Sequence, residues 1–335
     1  MAKYGLPYMG SKSSICDDLI PIFPKAENFY DLFGGGFSVS HAMLMKRRDH
    51  FNNFYFNEIR PGICELIQDA INGKYNYNVF SPKFISREEF SSKKDLDPYV
   101  KIVWSFGNNG RNYLFGKDIE QGKRSLHNAI VFNEFDDFAR EVFGCDKFQE
   151  STVTQRRLYW RSRCLVFKGK FEGKFGRGQL QQLERLQQLQ QLEQLQQLQQ
   201  LQQLEQLQQL ERLQQLHFSN LSYDQVEIKP DSIIYCDPPY GNTAKYDVDF
   251  NHKKFLDWAH NQENPVFISE YKINDKRFRP MFKIKKIQLF KMKKVQRLSS
   301  KSRIKKNEMV YVNQAAFDLL MSRRMKQINK ESLAQ

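Results

Sequence analysis

No run of about 18 consecutive apolar residues occurs in this chain, which excludes a membrane-spanning helix. The opening segment, Met1 to Pro7, lacks the apolar stretch of a secretory leader. Cysteine is sparse: Cys16, Cys64, Cys145, Cys164 and Cys236 are odd in number, and none are spaced as Cys-x-x-Cys. That argues against a disulfide framework and a structural zinc site. No metal is therefore expected, and a reducing bacterial cytoplasm is the expected location. Acid is almost missing from residues 272–306, where Asp275 stands alone against fifteen Lys and Arg. That local excess equals the formal net charge of the whole chain, +14, and it points to a polyanionic partner. Aromatics are not scarce. At 14%, with hydrophobics at 40%, they exclude a wholly disordered chain.

What is present reads as an interrupted α/β frame. Residues 28–33 predict an aromatic strand that runs into Gly34-Gly35-Gly36, and residues 37–48 a helix. Residues 51–56 predict a second strand ended by Asn57-Glu58, and residues 61–72 a helix with Pro61 in its first turn. This strand, glycine turn, helix, strand and acid form the layout of a nucleotide-type cofactor site. Residues 76–178 differ, mixing aromatic, Asn, Gly and basic residues without long periodic stretches. Their densest parts, residues 104–113 and 155–163, suit either a surface that touches phosphate and base or a solvated basic face. Residues 217–315 return to α/β. A continuous apolar strand, residues 232–236, ends in Asp237-Pro238-Pro239-Tyr240. Further strands are predicted at 265–269 and 309–313, a helix around 255–260, and a polar helix or tail after 315.

Residues 180–216 contain only Leu, Gln, Glu and Arg, with leucine at every third position. On an α-helix such a stripe drifts by about 60° per repeat, so a leucine zipper is rejected. A long helix with a winding stripe and a small solenoid with one inward leucine per repeat both remain, the solenoid being preferred. Functionally the block reads as a tolerated surface insertion without catalytic residues.

Four motifs carry chemistry. An exocyclic amine is a poor nucleophile because its lone pair is delocalised into the ring. Asp237 and the Pro238 carbonyl supply two acceptors for its N–H bonds, the prolines stiffen the turn, and Tyr240 offers a face for an extruded base. Asp31, at the end of the first strand, suits a cationic amino group, and Gly34-Gly35-Gly36 permits a sharp turn and a close cofactor approach. Glu58, after the second strand, suits ribose hydroxyls. Tyr8-Met9-Gly10-Ser11-Lys12 offers a lysine that can hold a carboxylate.

In their order, these motifs resemble the Dam-like, alpha-group N6-adenine DNA methyltransferases, and in particular their phage-borne branch. Phe267-Ile-Ser-Glu-Tyr271, Asn307-Glu-Met-Val-Tyr-Val312 and the segment 104–113 are similar to further motifs of that family. The resemblance implies a Rossmann-like methyltransferase sheet with an inserted recognition subdomain and a Leu/Gln tripeptide-repeat insertion. The implied division is core at 1–75, recognition at 76–178, repeat at 179–216, core again at 217–315 and a tail at 316–335. It implies S-adenosyl-L-methionine as cofactor, with Lys12 and Asp31 at its methionine end, Phe33, Gly34 and Gly36 as floor, and Tyr8 and Asp237 also among its binding residues. Glu58 would then take the ribose, and Asp237, Pro238 and Tyr240 would hold the target adenine. The implied partner is double-stranded DNA and the expected state a monomer. Cys236 is read as a buried strand residue, because the family uses no covalent cysteine. Cytosine N4, a protein glutamine amide, or a DNA-binding module with an unused pocket are the alternatives.

Overall fold

A computed structural model of the protein describes residues 4–6, 8, 10–76, 80–160, 203–210, 215–239, 250–289 and 303–333. The strands are β1 (Asn28–Asp31), β2 (Asn53–Asn57), β3 (Leu216–Ser219), β4 (Ser232–Cys236), β5 (Val266–Glu270), β6 (Arg279–Leu289) and β7 (Arg303–Val312). They form a seven-stranded sheet in the order β3-β2-β1-β4-β5-β7-β6. The first five strands pair in parallel, and β7 runs antiparallel to both β5 and β6. β1 and β4 lie side by side at the centre, where the strand order reverses, which makes the sheet Rossmann-like.

Strand alternation divides the core between the two faces. On one face Phe23 packs against Phe29 of β1, Tyr235 of β4 and Phe267 of β5, with ring centroids 5.3–5.4 Å apart. On the other, Tyr30 stacks on Tyr55 at 4.3 Å, beside Ile234, Cys236 and Ile268. β1 and β4 are buried along their whole length, as central parallel strands with two covered faces require. The thiol of Cys236 is wholly buried, and its pKa is raised well above the ordinary range by that burial and by Asp31 and Asp237.

Several boundaries move from their expected places for local reasons. The second helix begins at Ile63, because Gly62 takes φ +84° and cannot continue a helix from Pro61. The first covers Ser38–Lys46, with Phe37 outside it at φ +67°. β7 begins at Arg303, well ahead of the expected residue 309, and the last segment is a helix, Gln314–Leu333. β3 was not visible in the sequence: it is a four-residue edge strand, only partly buried, whose first residue is the last leucine of the repeat.

The chain divides into two compact units, one comprising residues 1, 7–9 and 68–211, the other residues 2–6, 10–67 and 212–335. The sheet belongs to the second. The described part of the first is helical: Arg87–Lys93, Pro98–Val103, Glu120–Phe132 and Asp137–Phe143, then residues 153–160. Its helices are short and several begin on polar caps, which explains the missing long periodicity. Ser86 and Glu89 close a reciprocal capping box, and Asp136 accepts from the Ala139 backbone N–H at 2.8 Å. In the basic stretch 155–163, Arg156 is structural. Its guanidinium donates to the backbone carbonyls of Ile130, Val131, Glu150 and Ser151, while Trp160 sits in the core.

The repeat is described at 203–210. Residues 203–207 are helical and Gln208–Leu210 form a 3-10 turn, and Leu204, Leu207 and Leu210 are all buried. Three residues complete one 3-10 turn, so leucines three apart fall on one face there. Asn76 donates to the Gln208 side chain at 2.8 Å, tying this end of the repeat to the rest of the helical unit. These three leucines belong to the core of their unit. The earlier repeats lie outside the described residues.

Candidate active site

Asp31, Glu58 and Asp237 all stand at the carboxyl edge of the sheet, immediately at or after the ends of β1, β2 and β4. Glu58 turns back on the glycine segment. One of its oxygens accepts from the Gly35 backbone N–H at 2.8 Å, the other from the Arg60 backbone N–H at 3.0 Å. Asn57 beside it clamps two strand ends, donating to the Leu32 carbonyl and accepting from the Ser219 hydroxyl and the Leu221 N–H.

The glycine turn is built for protein packing as well as for approach. A Cβ on Gly34 would lie 2.0 Å from the Phe56 ring, and Gly35 takes φ +52°. The Gly36 carbonyl accepts from the Leu6 N–H at 2.7 Å, which pins the amino-terminal segment to this turn. Phe33 is half-buried and stacks on Tyr223 at 5.5 Å, with Phe255 edge-on at 5.4 Å.

Asp31 is fully buried. Its Oδ2 accepts from the Ser40 hydroxyl at 2.7 Å, while its Oδ1 has no hydrogen-bond partner within the protein. Burial pushes its pKa up to about 7, assisted by Asp237 and Glu58 and opposed by the Ser40 hydrogen bonds. A desolvated carboxylate oxygen left without a donor is costly, and an ammonium group supplies what it lacks. That is the chemistry of the amino-acid end of S-adenosyl-L-methionine.

Lys12 makes the contact that ties the motifs together. Its ammonium lies 2.7 Å from Asp237 Oδ2 and 3.0 Å from Glu308 Oε1 of β7, and its backbone N–H donates to Ser38 Oγ. The lysine side chain is 4% exposed and that of Glu308 not at all, whereas Asp237 keeps 18%. Burial alone would discharge Lys12; Asp237 and Glu308 outweigh it and hold the pKa above the usual lysine range. Pro238 is buried and Pro239 half-buried. Beyond them opens a cavity of about 250 Å³ lined by Pro238, Phe255, Ile268, Glu270 and Tyr271. Glu270 has its pKa raised to about 7, first by burial and then by Asp237.

The structure thus brings Lys12, Asp31, Phe33, Gly34, Gly36, Glu58, Asp237 and Pro238 into one unit. Tyr8 is half-buried and falls in the other unit. Tyr240 lies outside the described residues. Ser40, Asn57, Glu270 and Glu308 were missed as site residues. Glu308 did leave a signal, an acid at the head of an apolar strand run, which needs a partner when buried.

The sheet order and the polar residues along its carboxyl edge define a Rossmann-like cofactor-binding protein. Residues 8–312 match the family of D12 class N6 adenine-specific DNA methyltransferases, and the chain belongs to that family. Methyltransferases of this family take their methyl group from S-adenosyl-L-methionine. Over 175 residues, 46% of the chain, it is 27% identical to the Type II methyltransferase M.FokI of Planomicrobium okeanokoites. That match spans 27% of the relative's own length. No helix among the described residues is long and apolar enough to cross a membrane.

Proposed function

We propose that the protein methylates N6 of adenine in double-stranded DNA. The observation that carries this reading is Asp237. It is a partly exposed carboxylate at the sheet's switch point, anchored through one oxygen by buried Lys12 and followed by two prolines. An anchored acceptor costs little reorganisation when an amine hydrogen meets it.

Asp31 Oδ1 receives the cofactor's ammonium, Glu58 its ribose hydroxyls, and the face of Phe33 with the Gly34 to Gly36 turn forms the floor. When bound, S-adenosyl-L-methionine supplies an electrophilic methyl group on a sulfonium, whose sulfur regains the carbon–sulfur electron pair as nitrogen bonds to carbon. Asp237 and the Pro238 carbonyl accept the two N6 hydrogens and direct the nitrogen lone pair at the methyl carbon. The surplus N6 proton leaves by way of Asp237, which is open to solvent on one side. Gains of this kind come from positioning and from fixed charge. The adenine is extruded from the duplex to reach the site, with Tyr240 as its stacking partner. The basic strands β6 and β7 lie along DNA phosphates.

Incubation with methyl-labelled cofactor and mixed-sequence DNA, followed by nucleoside mass analysis, tests this. N6-methyladenine is the expected product, lost in Asp237→Ala. Label in N4-methylcytosine or in protein, no transfer at all, or full activity in Asp237→Ala overturns the reading.

A further inference from the structure

We infer that Glu308 is a positioning residue of the methyl-transfer site, acting through Lys12 to set the orientation and charge of Asp237. This rests on the reading of Asp237 as the acceptor for the reacting amine. The geometry carries it. Glu308 is completely buried on β7, where it pairs across the ladder with Ile284 of β6. It lies far from Asp237 in sequence, and the two share a single ammonium at 3.0 Å and 2.7 Å.

A lone buried Lys–Asp pair is neutral, and an acceptor so neutralised attracts a developing cation weakly. The reacting nitrogen becomes cationic as it takes the methyl group. Glu308 is a second acid on the same ammonium, so the lysine is shared between two carboxyl groups, of which Asp237 is the more exposed. The lysine also anchors Asp237 Oδ2 at 2.7 Å, which fixes the position of the carboxylate. A buried acid at the head of the apolar run 309–312 is costly to keep, since replacing a buried pair by a hydrophobic isostere is often neutral or stabilising. The ionisable groups that act on Lys12 come from several neighbouring elements: Asp237 after β4, Glu270 and Tyr271 at the end of β5, Glu308 on β7, and Cys16 on its own side, while Asp31 and Tyr235 act on Asp237. With Glu308 neutral, Lys12 loses one close counter-charge, and the balance moves towards burial, which lowers its pKa.

The test compares wild type, Glu308→Gln, Glu308→Asp, Lys12→Gln and the Lys12→Gln/Glu308→Gln double variant. Glu308→Gln is expected to lower kcat by about 10- to 100-fold, with less than about a threefold change in cofactor affinity by calorimetry. Its alkaline limb of kcat moves to lower pH. Glu308→Asp recovers part of the loss, and the double variant loses no more than Lys12→Gln alone. Independently of activity, nitrogen-15 side-chain NMR of Lys12 is expected to titrate at lower pH in Glu308→Gln. An unchanged pH profile and unchanged Lys12 titration, or additive losses in the double variant, overturn the inference while wild-type methylation stands. A shifted Lys12 titration in a protein that methylates nothing upholds the charge link and sinks the methyltransferase reading. A Glu308→Gln variant that loses cofactor binding in step with its activity assigns Glu308 to the cofactor site and overturns its positioning role.

Discussion

At the scale of single residues, the carboxyl edge concentrates charge where water is scarce, and pH dependence follows. Asp31 titrates near 7 against an ordinary 3.8, and Glu270 near 7 against 4.5. Between those limits the folded chain holds protons that the unfolded chain has released, so stability falls as pH rises through that window. Thermal melts without cofactor at pH 5 and pH 8 are expected to show the loss, and Asp31→Asn to reduce it. Cofactor binding has the opposite slope, because an ammonium on Asp31 favours the carboxylate. Affinity measured by calorimetry is expected to rise as pH passes through about 7 and to fall once the cofactor's own amino group deprotonates at about pH 8, and Asp31→Asn to lose the rise as well as bind more weakly. Asp31, Glu58 and Asp237 were legible in the sequence because each ends a strand and each answers a chemical need. Ser40 was not, because a serine inside a helix declares nothing until the fold brings it to Asp31, and the acid at Glu308 signals only the need for a partner, which the strand order supplies as Lys12.

At the scale of elements, close packing sets the glycine turn. Placing a methyl group on Gly34 forces the Phe56 ring aside, at about 1–3 kcal/mol for overpacking. Gly34→Ala is expected to lower the melting temperature and weaken cofactor binding, and Phe56→Leu in the same chain to restore part of both. Within the helical unit, Leu207→Ala empties a fully buried position, at about 2–5 kcal/mol. Its melting temperature is expected to drop, whereas an exposed neighbour, Gln206→Ala, leaves it unchanged. The strands β1, β4 and β5 could be read from apolar runs. β3 could not, since a half-exposed edge strand of four residues has neither a long run nor clean alternation.

At the scale of the whole molecule, the positive charge is placed by the sheet. β5 covers β7 only from Met309 to Val312, so from Glu308 back to Arg303 β7 pairs with β6 alone and forms a two-stranded ribbon. That ribbon carries Lys283, Lys285, Lys286, Arg303, Lys305 and Lys306. Equilibrium binding to unmodified DNA is expected to weaken steeply with salt. Neutralising Lys285, Lys286, Lys305 and Lys306 with Gln should flatten the log–log slope by about 0.9 for each phosphate that loses its cation. An unchanged slope would move the DNA surface elsewhere. The basic segment was plain in the composition; its placement on the far flank of the sheet was not, because β7 inserts between β5 and β6 against chain order. The centre of the sheet also constrains how the molecule comes into being. β1 has one neighbour close by in sequence, but its other neighbour pairs Asn28 with Ser232. A ribosome therefore releases β1, β2, the helical unit and the whole repeat before the middle of the sheet can close. Loop closure over such a span is slow, and until then an apolar strand edge stands open. Nascent chains halted ahead of Ser232 are expected to be cut readily by protease within the β1–β2 segment, and chains released beyond Val312 to resist.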